Sequence, residues 1–124
     1  MSPRSEELMR AALEQLEAAR TTLAAGLGAP AVSDAYYSML YTARAALSEE
    51  DRNARTHRGT WSLFRELFVE GGSLDASLAS DAERVRELRE AADYDAATVS
   101  RDEAAAAVEQ AERFIDVVRS LLER

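Results

Sequence analysis

The sequence predicts an all-α protein, and three observations carry that prediction. Apolar residues recur at spacings of three and four from end to end of the 124-residue chain, the period of a helix that buries one face. No stretch sustains the alternation of a half-buried strand. Five glycines and two prolines are too few for the many tight turns of an all-β fold.

Each helix has local signals. Ser2 caps a first helix, with Pro3 at its first position and Glu6 and Glu7 in its first turn, where the helix dipole favours negative charge. Met9, Leu13, Leu16, Ala19, Leu23 and Leu27 form its apolar stripe. The segment Gly26-Leu27-Gly28-Ala29-Pro30 predicts a turn, because it joins a helix terminator to a proline that cannot continue a helix. A second helix is predicted from Ser33 or Asp34, with Tyr36, Met39, Leu40, Ala43 and Leu47 on one face and Tyr37 and Tyr41 on the neighbouring one. It ends at the acidic run Ser48-Glu49-Glu50-Asp51.

Residues 52–57 read as a loop, after which Thr56 caps a third helix carrying Trp61, Phe64, Leu67 and Phe68. Gly71-Gly72 stops it. Asp75 opens a fourth helix through Leu78, Ala82, Val85, Leu88 and Ala92, followed by the polar turn Asp93-Tyr94-Asp95. The last helix begins with Ser100-Arg101-Asp102-Glu103, a capping box in which Ser100 and Glu103 satisfy each other's backbone donors. Ala104, Val108, Ala111, Ile115, Val118 and Leu122 then form a bundle seam. Long helices packed on shorter ones bury one core, so the expectation is an up-and-down bundle of four to five helices. With no internal repeat or linker, residues 1–124 read as one domain, within the usual ~100–150 residues.

Composition narrows the chemistry. The chain has no cysteine, which excludes disulfides, thiolate zinc sites and a cysteine nucleophile and suits a reducing cytosol. No apolar run approaches the ~18–20 residues that span a bilayer, and the N-terminus lacks the hydrophobic stretch of a signal peptide. The expected location is cytoplasmic, without a membrane. One histidine, no Glu-x-x-His pair and no glycine-rich phosphate loop lead us to expect neither a metal nor a cofactor. A net charge of −8 opposes general affinity for nucleic acid unless basic groups are gathered locally.

They are gathered in one place. Arg52, Arg55, Arg58 and Arg65 fall in a stretch without a single acid, a local +4 against −12 for the remainder. The only histidine, His57, lies inside it at the start of the third helix. Guanidiniums, a titratable imidazole and helix-start donors make a phosphate site. The plainer alternative is that these arginines are solvated or pair with Glu49, Glu50 and Asp51, where exposed pairs contribute little. A second candidate closes the fourth helix, where Arg89 and Tyr94 project toward a common cleft or Arg89 simply pairs with Glu90 or Asp93. Tyr36, Tyr37 and Tyr41 read as core or interface, and Trp61, Phe64 and Phe68 as core.

The segments Tyr36-Tyr37-Ser38-Met39-Leu40-Tyr41-Thr42-Ala43-Arg44-Ala45-Ala46-Leu47, Thr56-His57-Arg58-Gly59, Phe64-Arg65-Glu66-Leu67-Phe68-Val69 and Arg89-Glu90-Ala91-Ala92-Asp93-Tyr94 follow one another in that order. That order resembles the HEPN (higher eukaryotes and prokaryotes nucleotide-binding) superfamily. The chain looks most like the small stand-alone prokaryotic branch often encoded beside minimal nucleotidyltransferases. The resemblance spans roughly residues 5 to 123 and implies a HEPN-like bundle, usually a homodimer. Active members are metal-independent ribonucleases whose motif is an Arg, four to six residues, then a His; others bind nucleotides, RNA or proteins without catalysis.

By that resemblance the catalytic candidates are His57, Arg89 and Tyr94, with Arg52, Arg55 and Arg58 on RNA phosphates. Arg52 to His57 has the motif's spacing but lies before the third helix; at the usual later position Arg89 is followed, after four residues, by Tyr94. Two arrangements stay open: the site is degenerate, or His57 approaches Arg89 in the folded dimer and restores the pair. In some toxin–antitoxin pairs of this type the nucleotidyltransferase adenylylates a tyrosine near the motif, and by position Tyr94 is the acceptor. Two functions follow: a metal-independent RNA-cleaving or RNA-binding homodimer of a nucleotidyltransferase-paired system, or a non-catalytic helical module that binds the nucleotidyltransferase, a nucleotide or both.

Overall fold

The computed structural model describes residues 1–124 and contains five helices and no strand. They are α1 (Pro3–Ala24), α2 (Gly28–Glu49), α3 (His57–Phe64, continued by a π-helical segment Arg65–Glu70), α4 (Ala76–Tyr94) and α5 (Arg101–Leu122). The capping residues read from sequence form as expected. Ser2, Thr56, Asp75 and Ser100 accept from the backbone N–H groups of Ser5, Gly59, Ser77 and Glu103. Both halves of the Ser100–Glu103 capping box are present, which leaves fewer orphan donors at the start of α5.

α2 is the centre of the bundle and packs against each of the other four helices. Its Ala31, Ala35, Ala43, Ala45 and Ala46 are fully buried, as are Ala12 and Ala19 of α1 and Ala111 of α5. Small side chains let helix axes approach closely. Twenty-eight buried residues form one apolar cluster drawn from all the helices. Larger side chains fill its far end, where Phe64, Phe68, Phe114 and Trp61 meet edge-on or tilted at 5.3–5.9 Å between ring centroids, an arrangement that suits the aromatic quadrupoles.

The structure revises three local expectations. α2 begins at Gly28, not at Ser33 or Asp34; Pro30 lies in its first turn, where a missing N–H costs no helical hydrogen bond. Gly28 is also where a Cβ would stand 2.8 Å from the Val99 carbonyl oxygen, so the chain entering α2 passes directly beneath the α4–α5 connection. Leu27 is 51% exposed rather than the last residue of the α1 stripe, because α1 ends at Ala24 and Gly26 reverses the chain at φ +77°. Asp93 and Tyr94 continue α4 instead of forming a turn.

A polar clasp closes one end of the bundle. Glu49, at the end of α2, accepts from the Ser2 backbone N–H at 2.9 Å and from the Ser5 hydroxyl at 2.7 Å on the same oxygen. Those two bonds, the backbone one first, hold the Glu49 carboxyl below its ordinary pKa. A group depressed in this way stabilises the fold above its unfolded pKa and loses that contribution as pH falls through the folded value. Glu49→Gln is expected to destabilise the protein by about 1–2 kcal/mol at pH 7 and by progressively less as the pH falls below about 4.5. Thermal melts across that range check it; a deficit independent of pH would assign the effect to packing.

Candidate functional site

The site is built around a buried tyrosine. Tyr36, halfway along α2, is fully buried, and burial pushes its phenol pKa up. Its hydroxyl accepts a hydrogen bond from Trp61 Nε1 at 3.2 Å and lies 3.0 Å from His57 Nδ1. Thr56 starts α3 and places His57 on its first turn, while Trp61 follows four residues later on the same face. The π-helical segment begins one turn beyond.

Arg89 of α4 reaches the same pair of rings. Its guanidinium carbon stands 4.9 Å from the Tyr36 ring centroid and 5.6 Å from that of Tyr37, within cation–π range. His57 packs against those two rings at 5.6 and 5.8 Å between centroids. His57 and Arg89, 32 positions apart in sequence, therefore both pack against the Tyr36–Tyr37 pair.

Arg89 is only 9% exposed. Its Nη1 bonds Asp93 at 2.9 Å, and its Nε is the one buried side-chain nitrogen or oxygen without a partner. Its Nη2 has no hydrogen bond within the chain yet is not a buried orphan, so solvent reaches it. The same holds for His57 Nε2. Each residue thus keeps one free nitrogen turned to solvent.

The surroundings are strongly basic. Burial, then Arg44, Arg89 and Arg86 in that order, lower the His57 pKa, and Glu90 only partly opposes them. Burial and the arginines together thus favour the neutral imidazole. Arg44 donates to Thr60 at 3.3 Å, and Arg86 is paired with Glu90 at 3.1 Å. Two shallow grooves continue the charge: Arg4, Arg44 and Arg52 line one of about 330 Å³, and Arg58, Arg65 and Arg86 line another of about 240 Å³ beside Trp61. Arg44 of the first and Arg86 of the second both bear electrostatically on His57.

Of the residues singled out from sequence, the fold gathers His57 and Arg89 against one tyrosine pair and sets Arg52 and Arg58 in separate flanking grooves. Arg55 is exposed on the loop before α3. Tyr94 is not in the cluster; it is 78% exposed, its side chain makes no hydrogen bond, and it closes α4 five residues beyond Arg89. Sequence reasoning placed Tyr36 and Trp61 in the core and missed that their polar ends form the link to His57. A buried tyrosine and a buried tryptophan each need a partner for O–H or N–H, and in a chain with one histidine that need was the available signal. Arg44 and Arg86 were also missed. No group of three or more acidic or histidine side chains converges to hold a metal ion, and no helix is long and apolar enough to cross a membrane.

Comparison with known proteins agrees with this architecture. Residues 5–121 match the HEPN domain, so the chain belongs to the HEPN family. A UPF0332 protein of Gloeobacter violaceus is 34% identical over 98% of both chains. A UPF0332 protein of Archaeoglobus fulgidus is 32% identical over 94% of this chain and 93% of its own. A Methanocaldococcus jannaschii protein named "Putative toxin" is 29% identical over 94% of this chain and 87% of its own.

Proposed function

We propose that this HEPN protein is the effector of a nucleotidyltransferase-paired, toxin–antitoxin-like system and acts on RNA as a metal-independent ribonuclease or RNA-binding homodimer. One observation carries the reading: His57 and Arg89 both pack against the Tyr36 and Tyr37 rings, each with one solvent-reached nitrogen free of any partner. A phosphodiester is the ligand that such a pair fits, since Arg gives charge-assisted bonds to its oxygens and histidine moves or lends a proton beside them. The flanking grooves of Arg52 and Arg58 offer neighbouring phosphates a place on a surface that is otherwise acidic. An isologous dimer brings two such faces together across one strand.

The test is cleavage of a mixed RNA pool in EDTA by the purified protein, read beside its mass in solution and its RNA affinity over a salt series. A dimer that cuts RNA, or binds it with affinity falling as salt rises, is the expected result. A folded monomer without either property at low salt would overturn the reading.

The exposure of Tyr94 favours a second reading, in which the domain is a non-catalytic module for the nucleotidyltransferase or a nucleotide. Tyr94 stands where the motif puts its histidine, and its phenol is open to a modifying enzyme. Five helical residues place it roughly 7.5 Å along the axis from Arg89. Nucleotidyl transfer to that oxygen would release pyrophosphate and leave a bulky phosphodiester anion near the guanidinium.

A further inference from the structure

We infer that Tyr36 is a positioning residue for His57: its hydroxyl donates to Nδ1, holds the neutral imidazole in the form protonated at Nε2, and so turns a hydrogen-bond donor toward the ligand. The role deepens the RNA reading above by saying which face of the histidine a phosphate meets, and it rests on hydrogen-bond inventory alone.

The argument is a count of protons. Indole nitrogen can only donate, so the 3.2 Å contact commits one lone pair of the Tyr36 oxygen to Trp61. Tyr36 is fully buried, and its hydroxyl has two partners, Trp61 and His57. Its own proton therefore has a single acceptor within reach, His57 Nδ1 at 3.0 Å. With Nδ1 protonated, the imidazole would donate to the tyrosine oxygen instead, and the tyrosine proton would lie in the core without an acceptor, an arrangement folded proteins avoid. The chain of donors thus runs one way, from Trp61 through Tyr36 to His57.

Two consequences follow for the site. The outward nitrogen, Nε2, carries the hydrogen and bonds an anionic oxygen without the imidazole having to be charged. The imidazolium is disfavoured as well, because a second proton on Nδ1 would strand that of Tyr36. This adds to the influence of the charged groups that face His57, which are Arg44, Arg86 and Arg89 against Glu90, with Tyr37 packed on its other side. In the resting protein His57 is set to donate to a phosphate and not to take a proton at Nε2.

A chain with one histidine makes this directly measurable, since one imidazole gives one set of ring resonances. Two-bond proton–nitrogen correlation on the uniformly ¹⁵N-labelled, ligand-free protein is expected to show an unprotonated Nδ1 and a protonated Nε2 at neutral pH. Titration of the His57 Cε1 proton in wild type and Tyr36→Phe supplies the sign. If the hydroxyl donates, removing it relieves the stranded proton and the His57 pKa rises. If the hydroxyl accepts, removing it takes a partner from the imidazolium and the pKa falls. A wild-type tautomer protonated at Nδ1, or a pKa that falls or stays in place in a Tyr36→Phe protein of unchanged circular dichroism, would overturn the assignment. The tautomer measurement needs no variant and no RNA. An Nε2–H imidazole in a protein that neither binds nor cuts RNA would therefore support the tyrosine's role while counting against the RNA reading.

Discussion

Arg89→Met is expected to remove RNA cleavage by a factor of about 10²–10³, the usual cost of losing one preorganised donor at a developing charge. If the protein binds without cutting, the expected loss is about 1.5–3 kcal/mol of RNA affinity, the range for a hydrogen bond to a charged group. Methionine is chosen because Arg89 is buried beside Tyr36 and its side chain reaches over the Tyr36 and Tyr37 rings. An unbranched apolar chain preserves that packing while the guanidinium disappears. Asp93, left without its partner, is exposed enough to be hydrated. Arg89→Lys sharpens the test, because lysine keeps the charge and loses the planar guanidinium that holds Asp93 through Nη1 while offering Nη2 to a ligand. Lysine should thus recover part of the binding and little of the cleavage. Cleavage in EDTA and fluorescence anisotropy with a labelled single strand, each at matched thermal midpoint, check the series. A methionine variant as active as wild type would place the RNA contact away from the tyrosine pair.

The parts of this protein that were legible in sequence are those written locally. Ser2, Thr56, Asp75 and Ser100 each cap a helix within three residues of themselves, so their side chains announce the boundary before any tertiary contact exists. The start of α2 was not legible in that way. Pro30 is compatible with either a helix end or a first turn, and the choice depends on Gly28 passing beneath Val99, a residue 71 positions away. The switch of α3 into a π-helical segment at Arg65 carries no mark in the sequence pattern at all.

The site divides along the same line. His57 and Arg89 were each visible as chemistry, but whether they meet depends on how α3 and α4 lean on α2. Tyr36 is what joins them, and a tyrosine on the buried face of an amphipathic helix reads as packing. It is packing, with its ring against Tyr37, His57, Trp61 and Arg89, and it is also the hydrogen-bonded end of the site. One residue serves both because the hydroxyl lies at the edge of the core where α3 begins. The basic patch was likewise only half visible. Arg52 and Arg58 fell inside the acid-free stretch, whereas Arg44 and Arg86 come from helices whose other charges conceal them until the fold brings them to His57.

Phe64→Ala should lower stability by about 3–5 kcal/mol, the range for deleting a buried aromatic ring. Phe64 is fully buried and touches three other aromatic rings, Trp61, Phe68 and Phe114, at centroid distances of 5.9, 5.3 and 5.4 Å. None of the three can collapse easily into the space. Phe114 is fixed on α5, Trp61 is held through its N–H to Tyr36, and Phe68 lies on the π-helical segment. For a chain of this length the loss amounts to roughly 10–20 °C in thermal midpoint, measurable by circular dichroism. The effect should also reach the site, because Phe64 and Phe114, themselves 5.4 Å apart, both pack edge-on against Trp61. A loosened Trp61 weakens the donor that commits the Tyr36 oxygen, so the His57 ring resonances should shift in Phe64→Ala although Phe64 makes no contact with the imidazole. Phe64→Leu, which keeps most of the volume, should restore both the midpoint and the resonances in large part. An alanine variant that melts within a few degrees of wild type would show that the aromatic cluster is not where the bundle's stability is concentrated. A large loss of stability with unmoved His57 resonances would separate the core from the site and leave Tyr36 held by α2 alone.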